Sequence, residues 1–242
     1  MEKIKLFLIT SLLITFCLTS CGNNDEPSKF SDVTLKSGET KKLNSGANLK
    51  WTSENELIAA VEDGTINAYL VGETKIASDE GSFKVTVSPN YNYYSEPYME
   101  KGASKSKVKS AMKNYTLENE KQDGTKDYLV YKGSNYIESF MFTLENNELK
   151  YSYFYTKATY VTELSNWLKE RYVSLSSGDG YISMLSPDLQ TLVIIMSTKL
   201  NSVKYFCVGY TIVDSNQSTM SNCDYSNIAK EIYNGMNHLT QK

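Results

Sequence analysis

Residues 57–70, LIAAVEDGTINAYL, decide the fold of the first part of the chain. The apolar run Leu57-Ile58-Ala59-Ala60-Val61 leads into Asp63-Gly64. That pair favours a two-residue hairpin turn, because both central residues of such a turn must take positive φ. Ile66, Ala68 and Leu70 follow at every second position. Period two puts their side chains on one face of a strand. The stretch therefore predicts a β-hairpin with one apolar face.

The same pattern continues on both sides. Upstream, Val33 and Leu35 alternate before the turn Ser37-Gly38-Glu39, and Leu49 alternates with Trp51. Downstream, Gly72-Glu73 marks a turn, and Lys75 to Ser78 and Phe83 to Val87 read as further strands. About six short strands in under 60 residues, with no helical period, predict a small all-β sandwich over 31–88. Trp51 is expected to fill its centre.

This segment resembles a bacterial Ig-like domain of group 2 (BIG2). The likeness is carried by Leu35-Lys36-Ser37-Gly38-Glu39-Thr40, Trp51-Thr52-Ser53-Glu54-Asn55 and Ile58-Ala59-Ala60-Val61. Asp63-Gly64-Thr65-Ile66-Asn67-Ala68, Val71-Gly72-Glu73-Thr74-Lys75-Ile76 and Val85-Thr86-Val87 continue it in the family's order. Ala60 departs from the threonine common there. The resemblance implies an Ig-like fold and a place in an adhesin or surface protein, where such domains often act as spacers.

Residues 89–98 contain NYNYYSEPY between Pro89 and Pro97 and read as a tyrosine-rich linker. Over 99–242 the pattern changes to helices mixed with strands. Ser104 suits a helix N-cap, with Val108, Ala111 and Met112 on one helical face. Strands are expected at 115–121, 128–132, 136–145 and 148–157, with turns at Gln122-Asp123-Gly124 and Glu145-Asn146-Asn147. A second helix over 160–172 carries Val161, Leu164, Trp167 and Leu168 on one face. Strands at 181–185, 190–198 and 202–213 and a closing helix near Tyr225 to Leu239 complete the order. Two rounds of a helix followed by about four strands predict an α+β domain with an antiparallel sheet and helices on one face. This layout is similar to tandem helix-plus-sheet folds of the β-lactamase-inhibitor-protein type. The segment around Gly102-Ala103-Ser104, Val108 and Met112 also resembles uncharacterised Bacteroidetes lipoproteins that join such a region to a BIG2 domain.

The N-terminus points to export. Two lysines lie within the first five residues, and Leu6 to Leu18 is nearly all apolar. That run is too short for a membrane span of about 20 residues and fits a signal peptide over 1–20. Leu18-Thr19-Ser20-Cys21-Gly22 resembles the lipobox of bacterial lipoproteins. The resemblance implies cleavage before Cys21 and lipid on its sulfur and new N-terminus. Each buried methylene then adds about 0.8 kcal/mol of membrane affinity. Residues 21–30 form the lipidated cysteine and a polar tether. Asp25 and Glu26 resemble the acidic export signal of Bacteroidetes surface lipoproteins. The expected location is the outer membrane, facing outwards.

Composition narrows the chemistry. The net charge is −3, whereas a nucleic-acid partner calls for a positive field. The single histidine, His238, has no clustered ligand partner in sequence, and no catalytic residue, metal or cofactor is expected. Asp79-Glu80-Gly81 and Asp179-Gly180 read as turns rather than calcium loops. Glu138, Glu145 and Glu148 are too weak a pattern for glycosidase carboxylates. Cys207 and Cys223 can form a disulfide in an oxidising compartment, or Cys207 can stay a buried thiol.

Nineteen tyrosines against eight phenylalanines are the distinctive feature. Tyr151, Tyr153 and Tyr155 alternate along one strand and share a face. That row is either an open ligand-contact face or a covered core edge. The expected activity is therefore non-catalytic binding or adhesion, towards an unknown protein or glycan, by a chain fixed to a membrane through its lipid. A purely structural envelope lipoprotein is the other expectation.

Overall fold

The computed structural model describes residues 30–178 and 180–213. Strands dominate, and nearly all of their pairings are antiparallel.

The first unit has seven strands. They are β1 (Val33–Lys36), β2 (Thr40–Lys42), β3 (Thr52–Ser53), β4 (Ala59–Glu62), β5 (Thr65–Ala68), β6 (Gly72–Ser78) and β7 (Gly81–Ser88). One sheet has the order β1-β7-β6-β3 and the other β2-β5-β4. The β1–β7 pair is parallel, with Val33 opposite Val85. The predicted hairpin joins β4 to β5, with Asp63 at φ 48° and Gly64 at φ 70°. A Cβ on Gly64 would lie 2.7 Å from the Cβ of Ala47, so the glycine is needed for space as well as for φ.

The apolar alternation does the packing. Ile66, Ile76, Phe83, Val85 and Val87 bury one shared core between the two sheets. Trp51 does not occupy its centre. It is half-buried at the rim, edge-on to Phe30 (4.9 Å) and Phe83 (5.3 Å), and its indole N–H donates to the Gly46 carbonyl at 2.9 Å. A buried indole needs a hydrogen-bond acceptor, and the loop carbonyl at the rim supplies it.

The second unit holds α1 (Lys105–Ala111), β8 (Leu117–Asp123), β9 (Lys126–Lys132), β10 (Ser139–Glu145) and β11 (Glu148–Lys157). A 3₁₀ turn (Ala158–Tyr160) then leads into α2 (Val161–Lys169). β12 (Val173–Gly178), β13 (Tyr181–Leu185), β14 (Thr191–Leu200) and β15 (Val203–Ile212) follow. All eight strands form one antiparallel sheet in the order β12-β13-β14-β15-β11-β10-β9-β8. Each half is a meander of neighbours, and β11 meets β15 at the centre. Ser104 caps α1 by accepting from the Lys107 N–H.

Period two along the strands divides the sheet into two apolar faces. On one, Phe140, Phe142, Phe154, Val193, Val208 and Tyr210 pack with Val108 of α1, its C-cap residue Met112, and Leu164, Trp167 and Leu168 of α2. On the other, Met141, Tyr153, Tyr155, Leu192, Ile194 and Cys207 form a separate buried cluster.

The two units are tied together. Val71 N–H donates to the Glu170 carbonyl at 2.7 Å, and Asn55 Nδ2 donates to the Pro187 carbonyl at 2.8 Å. The stretch 89–98, read above as a linker, packs onto the second unit, where Tyr94 joins the helix-side core.

Candidate functional site

Glu170 organises the stretch that follows the first unit. Its carboxylate is 5% exposed and accepts Asn90 N–H at 2.9 Å and Tyr91 N–H at 3.0 Å. Arg171 donates to the same carboxylate at 2.6 Å and to the Tyr91 carbonyl at 3.0 Å. Its guanidinium also lies 4.7 Å from the centre of the Trp167 ring. Charge-assisted bonds of this kind are about twice as strong as neutral ones, so the backbone here is firmly held.

The tyrosines downstream of this clamp meet two others. Tyr91 stacks on Tyr93 at 5.6 Å, and Tyr93 lies 5.4 Å from Tyr136. Tyr136 contacts Tyr160 edge-on at 4.9 Å and Tyr94 at 5.7 Å. Tyr94 is the buried root of the cluster. It stacks on Phe154, and its hydroxyl lies 3.1 Å from Thr156 Oγ1. Burial pushes its phenol up to about 12. Tyr91, Tyr93, Tyr136 and Tyr160 stay half-exposed, and among the described residues none of their hydroxyls is hydrogen-bonded.

Tyr136 is placed by a tight turn. Gly133 N–H donates to the Glu138 carbonyl at 2.9 Å, and Asn135 sits at φ 56°. A Cβ on Gly133 would fall 2.2 Å from the Ile137 carbonyl oxygen, so only glycine fits. Lys157 and Glu138 pair at 3.0 Å at the start of β10 and the end of β11. The result is four amphipathic rings fixed by a rigid support, each with a partly open surface and a hydroxyl able to donate and accept. Such rings can stack on a sugar or receive an apolar protein side chain at little entropic cost.

The residues singled out in sequence fare differently. Tyr153 is fully buried, Tyr155 is 6% exposed and Tyr151 is half-buried, so this row belongs to a core and is not an open ligand face. Alternation shows which residues share a face, not whether anything covers it, and tyrosine suits either outcome. Cys207 is wholly buried as a free thiol, held up in pKa by desolvation. Its suggested partner Cys223 lies outside the described residues, as do Cys21, His238, Asp179 and the closing helix. Glu138 is engaged by Lys157, and Glu148 by Lys150 at 3.0 Å. Asp79 and Glu80 form the turn between β6 and β7, where Glu80 N–H donates to Ser78 Oγ. Among the described residues no group of three or more His, Cys, Asp or Glu side chains is placed to hold a metal ion.

The tyrosine cluster was missed in sequence because its members come from three separate segments. The density of tyrosine in 90–98 was the available signal.

A cleft of about 330 Å³ opens elsewhere, between Met99–Gly102, the start of β11 and the end of β15. Both carboxylates among its described lining residues are already engaged: Glu100 by Lys107 at 2.6 Å and the Tyr98 hydroxyl at 2.6 Å, and Glu148 by Lys150. Its polar groups are largely satisfied from within.

No protein-family model matches this chain, and no match was found among curated proteins or solved structures. No helix among the described residues is long and apolar enough to cross a membrane.

Proposed function

We propose that this chain is a lipid-anchored envelope protein, held on the outer membrane through Cys21, that binds another macromolecule without catalysis. In this reading the first unit is an Ig-like domain of the BIG2 type. It acts as a spacer fixed to an α+β domain related to the tandem helix-plus-sheet type. The observation that carries the binding reading is the half-open cluster Tyr91, Tyr93, Tyr136 and Tyr160, in which the Glu170–Arg171 clamp holds the backbone at Tyr91 and the turn at Gly133 places Tyr136. Rigid tyrosines lose little entropy on binding and are enriched at interaction hot spots. The partner is most simply a surface protein of another cell or of the same envelope.

A glycan ligand is the second reading, favoured by phenol hydroxyls that have no hydrogen-bond partner among the described residues, beside open ring faces. Two experiments test these readings. Protease treatment of intact cells should cleave the chain if it faces outwards, and full protection contradicts surface adhesion. A glycan array probed with the soluble chain from Ser28 separates the partners. Sugar binding that is lost in Tyr93→Ala and Tyr136→Ala supports the glycan, and silence on the array leaves the protein partner.

A further inference from the structure

The helix-side face of the second sheet is unevenly covered. Across β11, β15, β14 and β13 the register sets Phe154, Val208, Ile195 and Ile182 side by side. Phe154 and Val208 are wholly buried, Ile195 is 7% exposed and Ile182 is 47% exposed. One step nearer the β14–β15 turn on the same face, Phe206 stands between Thr156 and Ser197. Ile182, Ile195, Ser197, Lys204 and Phe206 line an open hollow of about 470 Å³ here. The hollow adjoins the tyrosine cluster. Thr156 Oγ1, on the strand beside Phe206, lies 3.1 Å from the Tyr94 hydroxyl, and the Tyr94 ring meets Tyr136.

Charge marks the rim. The last pair on this face before the turn sets Lys199 directly opposite Lys204. Like charges facing each other across an antiparallel pair repel. From Leu189 to Val213 the chain carries no Asp or Glu, and among the described residues neither lysine forms an ion pair. Lys204 instead lies 6.0 Å from the centre of the Phe206 ring. An apolar hollow with two facing cations at its rim is complementary to an apolar side chain flanked by carboxylates.

We infer that the hollow and the tyrosine cluster form one docking surface for an acidic segment of a partner protein. An apolar side chain of that segment enters the hollow, and its neighbouring carboxylates meet Lys199 and Lys204. The inference rests on the binding reading above and adds the partner's chemistry. The floor favours protein over an acidic glycan. Ile182 and Ile195 offer sugar hydroxyls no hydrogen bond, whereas an apolar side chain sheds water against them.

A phage-displayed library of random peptides, panned on the full chain in detergent, tests it. Enriched peptides should carry Asp or Glu beside an apolar residue. A synthetic copy of the most enriched peptide, titrated by fluorescence polarisation, should bind roughly tenfold more weakly to Lys204→Glu and to Ile182→Ser. Lys204→Glu separates binding from folding. It sets opposite charges across the pair with Lys199, so the urea midpoint should hold or rise while affinity falls. Adding Lys199→Glu should turn the preference towards basic, apolar peptides. Enrichment without an acidic excess, or no enrichment at all, overturns the inference. So does an affinity that Lys204→Glu and Ile182→Ser leave unchanged. If Tyr93→Ala still abolishes that binding, the binding reading stands and the acidic partner alone falls. Polygalacturonate bound by the wild type and lost in Lys204→Glu, with no peptide competing for it, assigns the hollow to a glycan and also overturns the inference.

Discussion

Replacing Glu170 by alanine tests whether the clamp under the tyrosine cluster is a real structural joint. The carboxylate is 5% exposed and accepts three bonds: from Asn90 N–H, Tyr91 N–H and Arg171. Its removal strands two backbone donors and leaves a guanidinium, 13% exposed, without its counter-charge. Breaking a buried pair by removing one partner costs about 3–5 kcal/mol. Water reaching the vacated space lowers that, so the expectation is about 3 kcal/mol. Arg171→Ala should cost less, about 1–2 kcal/mol, because the carboxylate keeps both backbone donors. The Val71 bond to the Glu170 carbonyl survives either change, since it uses only main chain. Urea unfolding measures the loss, and hydrogen exchange at Asn90 and Tyr91 locates it. A Glu170→Ala loss under 0.5 kcal/mol, with those amides still protected, refutes the reasoning.

The remaining expectations are simpler. Gly133→Ala forces a Cβ towards the Ile137 carbonyl and should displace Tyr136, lowering stability by more than 1 kcal/mol in urea unfolding. Gly124→Ala has φ +60° and open space around its Cβ, so it should cost only about 1 kcal/mol. Ile76→Ala removes a wholly buried side chain from the first core and should cost about 2–5 kcal/mol by the same assay. Glu120 is held below its ordinary 4.5 by hydrogen bonds from Lys109 and then Lys105. A depressed carboxyl pKa adds stability above 4.5 that is lost as pH falls through the folded value. Glu120→Gln should therefore cost under about 1 kcal/mol at pH 7, given partial exposure, with the difference vanishing towards pH 3 in denaturant titrations.

Much of the secondary structure was legible because local chemistry and final fold agree. Asp63-Gly64 turns as its residue types require, Ser104 caps its helix, and β11 spans the very residues that alternation marked out. Two strands escaped notice. β2 is Thr-Lys-Lys and has no apolar signature, and in β12 the apolar alternation is confined to Val173 and Leu175 among serines. The parallel pairing of β1 with β7 joins residues 52 apart and leaves no local trace. Coverage was the least legible property. The face carrying Tyr153 and the surface carrying Tyr93 have the same residue type, and only tertiary packing tells which is wet. The candidate site therefore moved from a row along one strand to a cluster drawn from the 89–98 stretch, the turn before β10 and the 3₁₀ turn before α2.

The central claim is that hydrocarbon on one sulfur holds the chain at a bilayer while its folded units face outwards. Growing cells fed an alkyne analogue of palmitate give the most direct test. The account predicts label in the wild-type protein, none in Cys21→Ala, and loss of the variant from the membrane fraction. An unlabelled wild-type protein, with Cys21→Ala unchanged in size and fractionation, contradicts it.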